Sequence, residues 1–329
     1  MNLPASSVDF TGRAHQLRAT FALILGFAGA FAPAARADLM VLNAAGSASY
    51  LLRLDAATGE ALEVFRHETE AYSSMTLSPQ QEICVSSNTL GEYSLHVFGG
   101  GGEFRGSVAQ NGNGLLRATR GPDGAIYALA PDGDAVGSSS GYGLWRIDAQ
   151  GPKRFVAHGT GGMTAPVGFV FGPDGDLYVS DARAGVLRFS GEHGLARGVF
   201  VPLGSGGLQD AAMLLFGPDG RLYVASQRAN AVLRFDGVTG QAIDTFVSTG
   251  SGGLVSPAGI AFGPDGNLFV TSAGTNQILR FDGNTGGPLG VLATAAGVPG
   301  DPRIRWRDLV FVPVIPPISA DPAAGGSSR

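Results

Sequence analysis

Few residues in this chain have types and spacings that could do chemistry. Asp181 stands two residues before Arg183, and Gln227 and Arg228 follow some 45 residues later in a matching context. An acid flanked by guanidinium groups suits recognition of a carboxylate or phosphate, because each planar fork donates paired N–H bonds to an anion. Arg307, Ser73, Asn43, Asn276 and Gln277 complete the polar candidates. Outside the first 37 residues the histidines are His67, His96, His158 and His193; none forms an H-x-x-x-H pair, so no shared metal site is expected among them. The single cysteine, Cys84 in the apolar run EICVSS, cannot form an intramolecular disulfide and has no local basic motif to hold a thiolate, so it reads as a small buried hydrophobe. A G-x-S-x-G elbow, a Walker loop and a strand–G-x-G-x-x-G–helix unit are absent, and GGGGEF at 99–104 reads as a wide hairpin turn.

What positions these residues is a repeat. FGPDGRLYVASQRANAVLRFDGVTG starting at Phe216 returns as FGPDGNLFVTSAGTNQILRFDGNTG starting at Phe262. Aligning on the residue before the turn gives Leu77, Arg120, Phe171, Phe216 and Phe262, with Phe311 as a decayed sixth copy; the spacings are 43, 51, 45, 46 and 49. Periods in the forties mark solenoids and propellers, and they override the two-domain expectation that length alone would set. Within one copy GIAF is a strand, GPDG a turn, NLFVTS a second strand, QILRFD a third with alternating faces, and PLGVLAT a fourth. Four antiparallel strands per copy describe a propeller blade. The GPDG aspartates read as turn closers, since the ligand-dense spacing of a calcium loop is missing. Blade three carries an insertion within APDGDAVGSSSGYGLWRID, whose glycines and serines, with Tyr142 beside them, suggest a recognition loop on the rim.

The chain ends are expected to cooperate. Residues from Asp38 match strands two to four of a blade, whereas WRDLVFVP at 306–313 looks like a first strand with nothing after it. Joined, they complete blade one and remove a free sheet edge. The expected fold is therefore all-β: a six-bladed propeller over 38–316, closed by pairing the C-terminal strand with the N-terminal blade, with 317–329 as a disordered tail. Residues 1–37 read as an export leader: Arg13 and Arg18 precede an apolar run from Phe21 to Ala32 and a small-x-small site ending at Ala37. The run is about a dozen residues, short of the roughly 20 a membrane span needs. A secreted or periplasmic location follows, without membrane insertion.

The leader holds 3 of the 22 basic and 1 of the 27 acidic residues, leaving 19 against 26 and a net charge of −7. That sign disfavours nucleic acid, whose binding depends on Lys and Arg neutralising phosphates. The expected partner is a small molecule or a protein at the channel rim, and the expected state is a monomer.

The pattern GxxFGPDGxLYVxS…VLRFDGxTG resembles the NHL-repeat and SMP-30/gluconolactonase-like six-bladed propellers of bacteria, most strongly from Val167 to Val291. The resemblance implies function on the rim formed by the loops into strand one and between strands two and three. Two rings follow from aligning the copies: Arg307, Ser73, Leu116, Val167, Ala212 and Ala258 before strand one, and Asn43, Ser87, Ala130, Asp181, Ser226 and Ser272 ending strand two. In the lactonase-like relatives the first ring holds Asn and Asp ligands of a divalent cation. Here Val167 and Ala258 stand at those places, so a weakly held cation is the most that is expected and no cofactor is predicted. Virginiamycin-lyase-like relatives end strand two with Trp/Phe-Thr-Glu, where this chain has Val-Ser-Asp, Val-Ala-Ser and Val-Thr-Ser. Asp181 has two readings, a rim ion pair with Arg183, Arg228 or Arg307, or the polar anchor of a small-ligand site. The leading reading is a binding or scaffold module; the alternative is a metal-assisted hydrolase or a lyase using Asp181. Trp306, between Arg305 and Arg307, packs at the ring closure or offers a stacking platform.

Overall fold

The computed structural model describes residues 37–45, 48–67, 71–78, 82–89, 92–99, 104–111, 116–132, 141–294 and 306–313. Nearly all of the expected leader, the expected tail and residues 133–140 of the blade-three insertion lie outside them. Six four-stranded antiparallel sheets form the six blades of a β-propeller.

Blade one joins β24 (Trp306–Pro313) to β1 (Ala37–Ala45), β2 (Ala48–Asp55) and β3 (Ala61–His67). Blade two is β4 (Ala71–Leu77), β5 (Ile83–Thr89), β6 (Glu92–Phe98) and β7 (Phe104–Asn111). Blade three is β8 (Arg117–Arg120), β9 (Ile126–Pro131), β10 (Tyr142–Asp148) and β11 (Gly151–Val156). Blade four runs from β12 (Pro166–Phe171) and β13 (Leu177–Asp181) to β14 (Gly185–Phe189) and β15 (Ala196–Pro202). Blade five is β16 (Ala211–Phe216), β17 (Leu222–Ser226), β18 (Ala231–Phe235) and β19 (Ala242–Val247). Blade six is β20 (Pro257–Phe262), β21 (Leu268–Ser272), β22 (Gln277–Phe281) and β23 (Pro288–Thr294). Tyr142 is half-buried at the start of β10, opposite Pro131, and so belongs to a strand rather than to the tip of a loop.

The closure expected from the two chain ends is present. β24 pairs antiparallel with β1, from Ala37 opposite Pro313 to Asn43 opposite Trp306. Each blade buries its apolar residues against the next. Tyr127, Tyr178 and Tyr223, at most 2% exposed, each stack edge-on with the anchor phenylalanine of the following blade, Phe171, Phe216 and Phe262, at centroid separations of 4.9, 4.9 and 5.0 Å. Phe269 does the same to Phe311 of the closing strand at 4.8 Å. Edge-on aromatic pairs add about 0.5–1.5 kcal/mol to burial, which explains why the anchor position repeats.

The GPDG turns close hairpins, as their composition implies. In blade four Gly172 N–H donates to Asp176 O at 2.8 Å, and Gly175 takes φ 80°, where a side chain would be strained. Asp174 accepts from the Asp176 amide at 3.1 Å, from Tyr178 Oη at 2.9 Å and from Arg188 Nη2 at 2.6 Å, tying the turn to strands two and three. Asp123 with Tyr127 and Arg146 repeats this lattice in blade three. Burial pushes the Tyr127 hydroxyl up to about 12, which keeps it a donor.

Candidate functional site at the channel mouth

The first strand of five blades loses register with the second at one end of the channel. In β4 the pairing slips between Tyr72 and Ser74, in β12 between Pro166 and Gly168, and in β24 between Asp308 and Trp306. The residue skipped in each case is Ser73, Val167 or Arg307. The slips in β16 and β20 span Ala212–Met213 and Ala258–Gly259. One extra residue leaves the ladder locally unpaired and re-aims its side chain. In five of the six blades the position four before the anchor thus falls in a bulge, a feature that residue spacing alone does not reveal.

Hydroxyls on strand two hold the bulges. Gly168 N–H donates to Ser180 Oγ at 3.0 Å, and Gly259 N–H donates to Thr271 Oγ1 at 2.6 Å. Thr271 also donates to Arg307 O at 3.0 Å, fixing the closing strand across the blade boundary. Gly259 is needed there because a Cβ would lie 2.7 Å from Arg307 O.

All six ring residues, Arg307, Ser73, Leu116, Val167, Ala212 and Ala258, line one cup of about 520 Å³, together with Gln227, Ala273 and Met213. The floor is an ion pair. Arg117 Nη2 meets Asp308 Oδ1 at 2.7 Å with side chains 6% and 7% exposed, and Asp308 Oδ2 accepts from Met75 N–H at 3.1 Å. Arg117 Nη1 donates to Met75 O at 3.4 Å, so three blades meet at this pair. Beneath it the channel opens into a second cavity of about 540 Å³ whose lining includes every repeat anchor: Leu77, Arg120, Phe171, Phe216, Phe262 and Phe311.

The pair of Arg117 and Asp308 escapes a reading by residue type. Both follow a ring residue, at a place occupied by Ser74, Gly168, Met213 and Gly259 in the other copies. Opposite charges at one repeat position were the available signal. Arg117 and Asp308 stand 191 positions apart in the chain, so nothing local suggests that they touch.

Asp181 does not form the ion pair that was one of its two expected roles. It is wholly buried, and its partners are backbone amides rather than Arg183, Arg228 or Arg307. Oδ2 accepts from Thr164 and Ala165 N–H at 2.7 Å each, and Oδ1 from Arg183 and Ala184 N–H at 2.9 Å each. A carboxylate with four amide donors has its lone pairs engaged and clamps the loop into strand one onto the turn after strand two. Ser226 and Ser272 do the same with less. Each hydroxyl accepts from the amide and donates to the carbonyl of one residue, Gln209 or Val255, at 2.9–3.1 Å. In blades four, five and six the residue ending strand two therefore joins loops, and none of the three lines the cup.

The remaining candidates separate. Ser73, Gln227 and Arg307 line the cup, and Arg307 is exposed with no ion-pair partner among the described residues. Arg183 and Arg228 lie off-axis in a groove of about 700 Å³ between blades four and five, where Arg228 Nε is 3.3 Å from Asp210. Asn276 adopts φ 55° in the turn after β21, and Gln277 opens β22 opposite Ser272. Asn43 lies on β1 opposite Tyr50 and Trp306; its side chain, like those of Trp306 and His67, falls outside the described residues. His96 is buried between Ser87 Oγ at 3.0 Å and Ser107 Oγ at 2.8 Å, His158 donates its backbone N–H to Asp132, and His193 is exposed beside Glu192. Cys84 is buried, and burial raises its thiol to about 11, which makes it inert.

The divalent cation implied by the resemblance finds no donor set here. The ring offers one serine hydroxyl against four aliphatic side chains and a guanidinium, while both oxygens of Asp308 are engaged. Hard cations need six or more oxygens, usually with carboxylates among them. Among the described residues no three His, Cys, Asp or Glu side chains are gathered to hold a metal.

No protein-family model matches the chain, and no curated protein sequence matches it. Many solved structures share its fold. A chain of a nidogen/laminin complex is 14% identical, with 83% of this chain and 98% of that one covered at a TM-score of 0.61. A virginiamycin B lyase from Staphylococcus aureus solved with quinupristin is 15% identical over 76% and 83% of the two chains, with a TM-score of 0.50. A putative gluconolactonase is 17% identical over 72% and 89%, with a TM-score of 0.51. At these identities the likeness establishes the six-bladed fold, one whose neighbours include a binding complex, a lyase and a gluconolactonase-like protein.

Proposed function

We propose that this protein is an exported NHL/SMP-30-like propeller that works as a binding module, taking a small molecule in the cup at the bulged end of its channel. The observation that carries the reading is a ring of six residues, one from each blade and re-aimed by a bulge in five of them, above a floor formed by Arg117 and Asp308. A pocket of some hundreds of Å³, mostly apolar with a few polar groups, has the size and character of small-ligand sites. The lactonase-like alternative lacks a donor set, and its candidate acid, Asp181, is spent on backbone amides. Export rests on the leader, and the mature chain then starts at Asp38 as a monomer without a resident metal.

The test is a small-molecule library screened by thermal shift on the protein and on Val167→Trp, which fills the cup. Ligands that stabilise the first and not the second support the reading. Ligands indifferent to Val167→Trp, or lactone turnover by metal-loaded protein that Asp181→Asn abolishes without unfolding it, would sink it. N-terminal sequencing of exported material that starts elsewhere than Asp38 would remove the export assignment.

A further inference from the structure

The charges facing the cup carry its chemistry further, on the reading that the cup is the binding site. Two guanidinium groups and one carboxylate line it, Arg117, Arg307 and Asp308, and Arg117 is neutralised by Asp308 in the floor. One fixed positive charge is left. Arg307 is exposed and without an ion-pair partner among the described residues, although this protein pairs most of its other described arginines. Its backbone is held on three sides: β1 pairs to either side of the bulge, Thr271 donates to its carbonyl, and Gly259 lets β20 approach. An unpaired guanidinium carried on a fixed backbone beside an apolar wall is a half-built anion site.

We infer that the cup takes a monocarboxylate on a compact branched aliphatic body. The planar fork of Arg307 matches the two oxygens of a carboxylate, and Leu116, Val167, Ala212 and Ala258 form an aliphatic wall at the same level. A dianion fits less well, because its second charge would find no free cation and would stand near the Asp308 carboxylate. Where the family resemblance puts a bound divalent cation, this chain supplies the positive charge from its own closing strand. The same chemistry has two sources, a free branched-chain acid and the C-terminal carboxylate of a peptide ending in an aliphatic residue.

Calorimetry at low ionic strength with 4-methylpentanoate and N-acetyl-alanyl-leucine, each against its primary amide, tests this. Hydrogen bonds to charged groups are worth enough that each acid should bind about tenfold tighter than its amide. Arg307→Gln should erase that difference with an unchanged melt, Arg307→Lys should restore part of it, and Val167→Trp should abolish binding of both. The tighter acid identifies the source. Amides that bind as well as acids, or acid binding indifferent to Arg307→Gln, would overturn the anion assignment; if Val167→Trp still blocked those amides, the cup itself would stand as the site. Failure of every acid and amide at millimolar concentration also overturns the assignment, and the library screen then judges the cup independently.

Discussion

The two mouths of the channel are built from the same strands and differ in what they repeat. At the anchor end the copies agree: four phenylalanines and a leucine, with Arg120 as the exception, and each described phenylalanine is braced edge-on by an aromatic of the preceding blade. At the bulged end they disagree, with Arg, Ser, Leu, Val, Ala and Ala at equivalent positions. Packing between neighbours demands the same residue at each interface, so agreement marks structure. Residues that a bulge turns out of the interface escape that demand, so disagreement marks the surface free to specialise.

The comparison breaks most severely if the ring is opened. Deleting 306–313 removes the inner strand of blade one, the Asp308 carboxylate and the ring contact of Phe311 with Phe269, and it frees the β1 edge. The expected outcome is loss of a cooperative melt and of soluble monomer by size-exclusion chromatography. A subtler cut is Asp308→Ala, which strands the buried Arg117 guanidinium and should cost about 3–5 kcal/mol in urea unfolding. Arg117→Met combined with Asp308→Leu should recover most of that, because removing both charges leaves neither buried alone. A double variant as weak as the single one would show that the pair is not what seals the waist.

Most of the fold was legible because its determinants are local and recur. The FGPDG turn, the alternating LRFD strand and the forties period specify blades, and the mismatched chain ends specify closure. The ring before each anchor was legible as a spacing, and Ser73, Gln227 and Arg307 do share the cup. Three things were not. The bulges arise from hydroxyls such as Ser180 and Thr271 that bond across strands, with no signature in residue spacing. The pairing of Arg117 with Asp308 joins residues that only a closed ring brings together. A lone carboxylate at the end of strand two points either to an ion pair or to a ligand anchor, and the loop amides converging on Asp181 are visible only in the folded backbone.

Phe216→Ala measures the anchor end directly. It removes a ring packed on Tyr178 at 4.9 Å and should cost about 2–3 kcal/mol, below the range for fully buried aromatic truncations because the side chain is half-buried. Asp181→Ser tests the strand-two ring on similar terms. Serine is what blades five and six use at this place, so the exchange keeps a clasp while freeing two or three amides, and should cost about 1–2 kcal/mol. A larger loss for Ala than for Ser is expected. Equal losses would mean that the clamp matters through something other than its hydrogen bonds.

The smallest effect is the most informative about the bulged end. Arg307→Gln removes an exposed guanidinium that bonds to no described residue, and Val167→Ala trims a side chain 38% exposed. Surface changes away from packing or hydrogen-bond networks stay within about 0.5 kcal/mol of neutral. Both variants should therefore melt with the parent protein, in contrast to Phe216→Ala at the other mouth. If Arg307→Gln instead stabilises the fold, the unpaired cation was being held at a cost to stability, the pattern expected of a residue kept for binding. If it destabilises as much as Phe216→Ala does, the two mouths do the same structural work, and the division between a repeated scaffold and a variable cup fails.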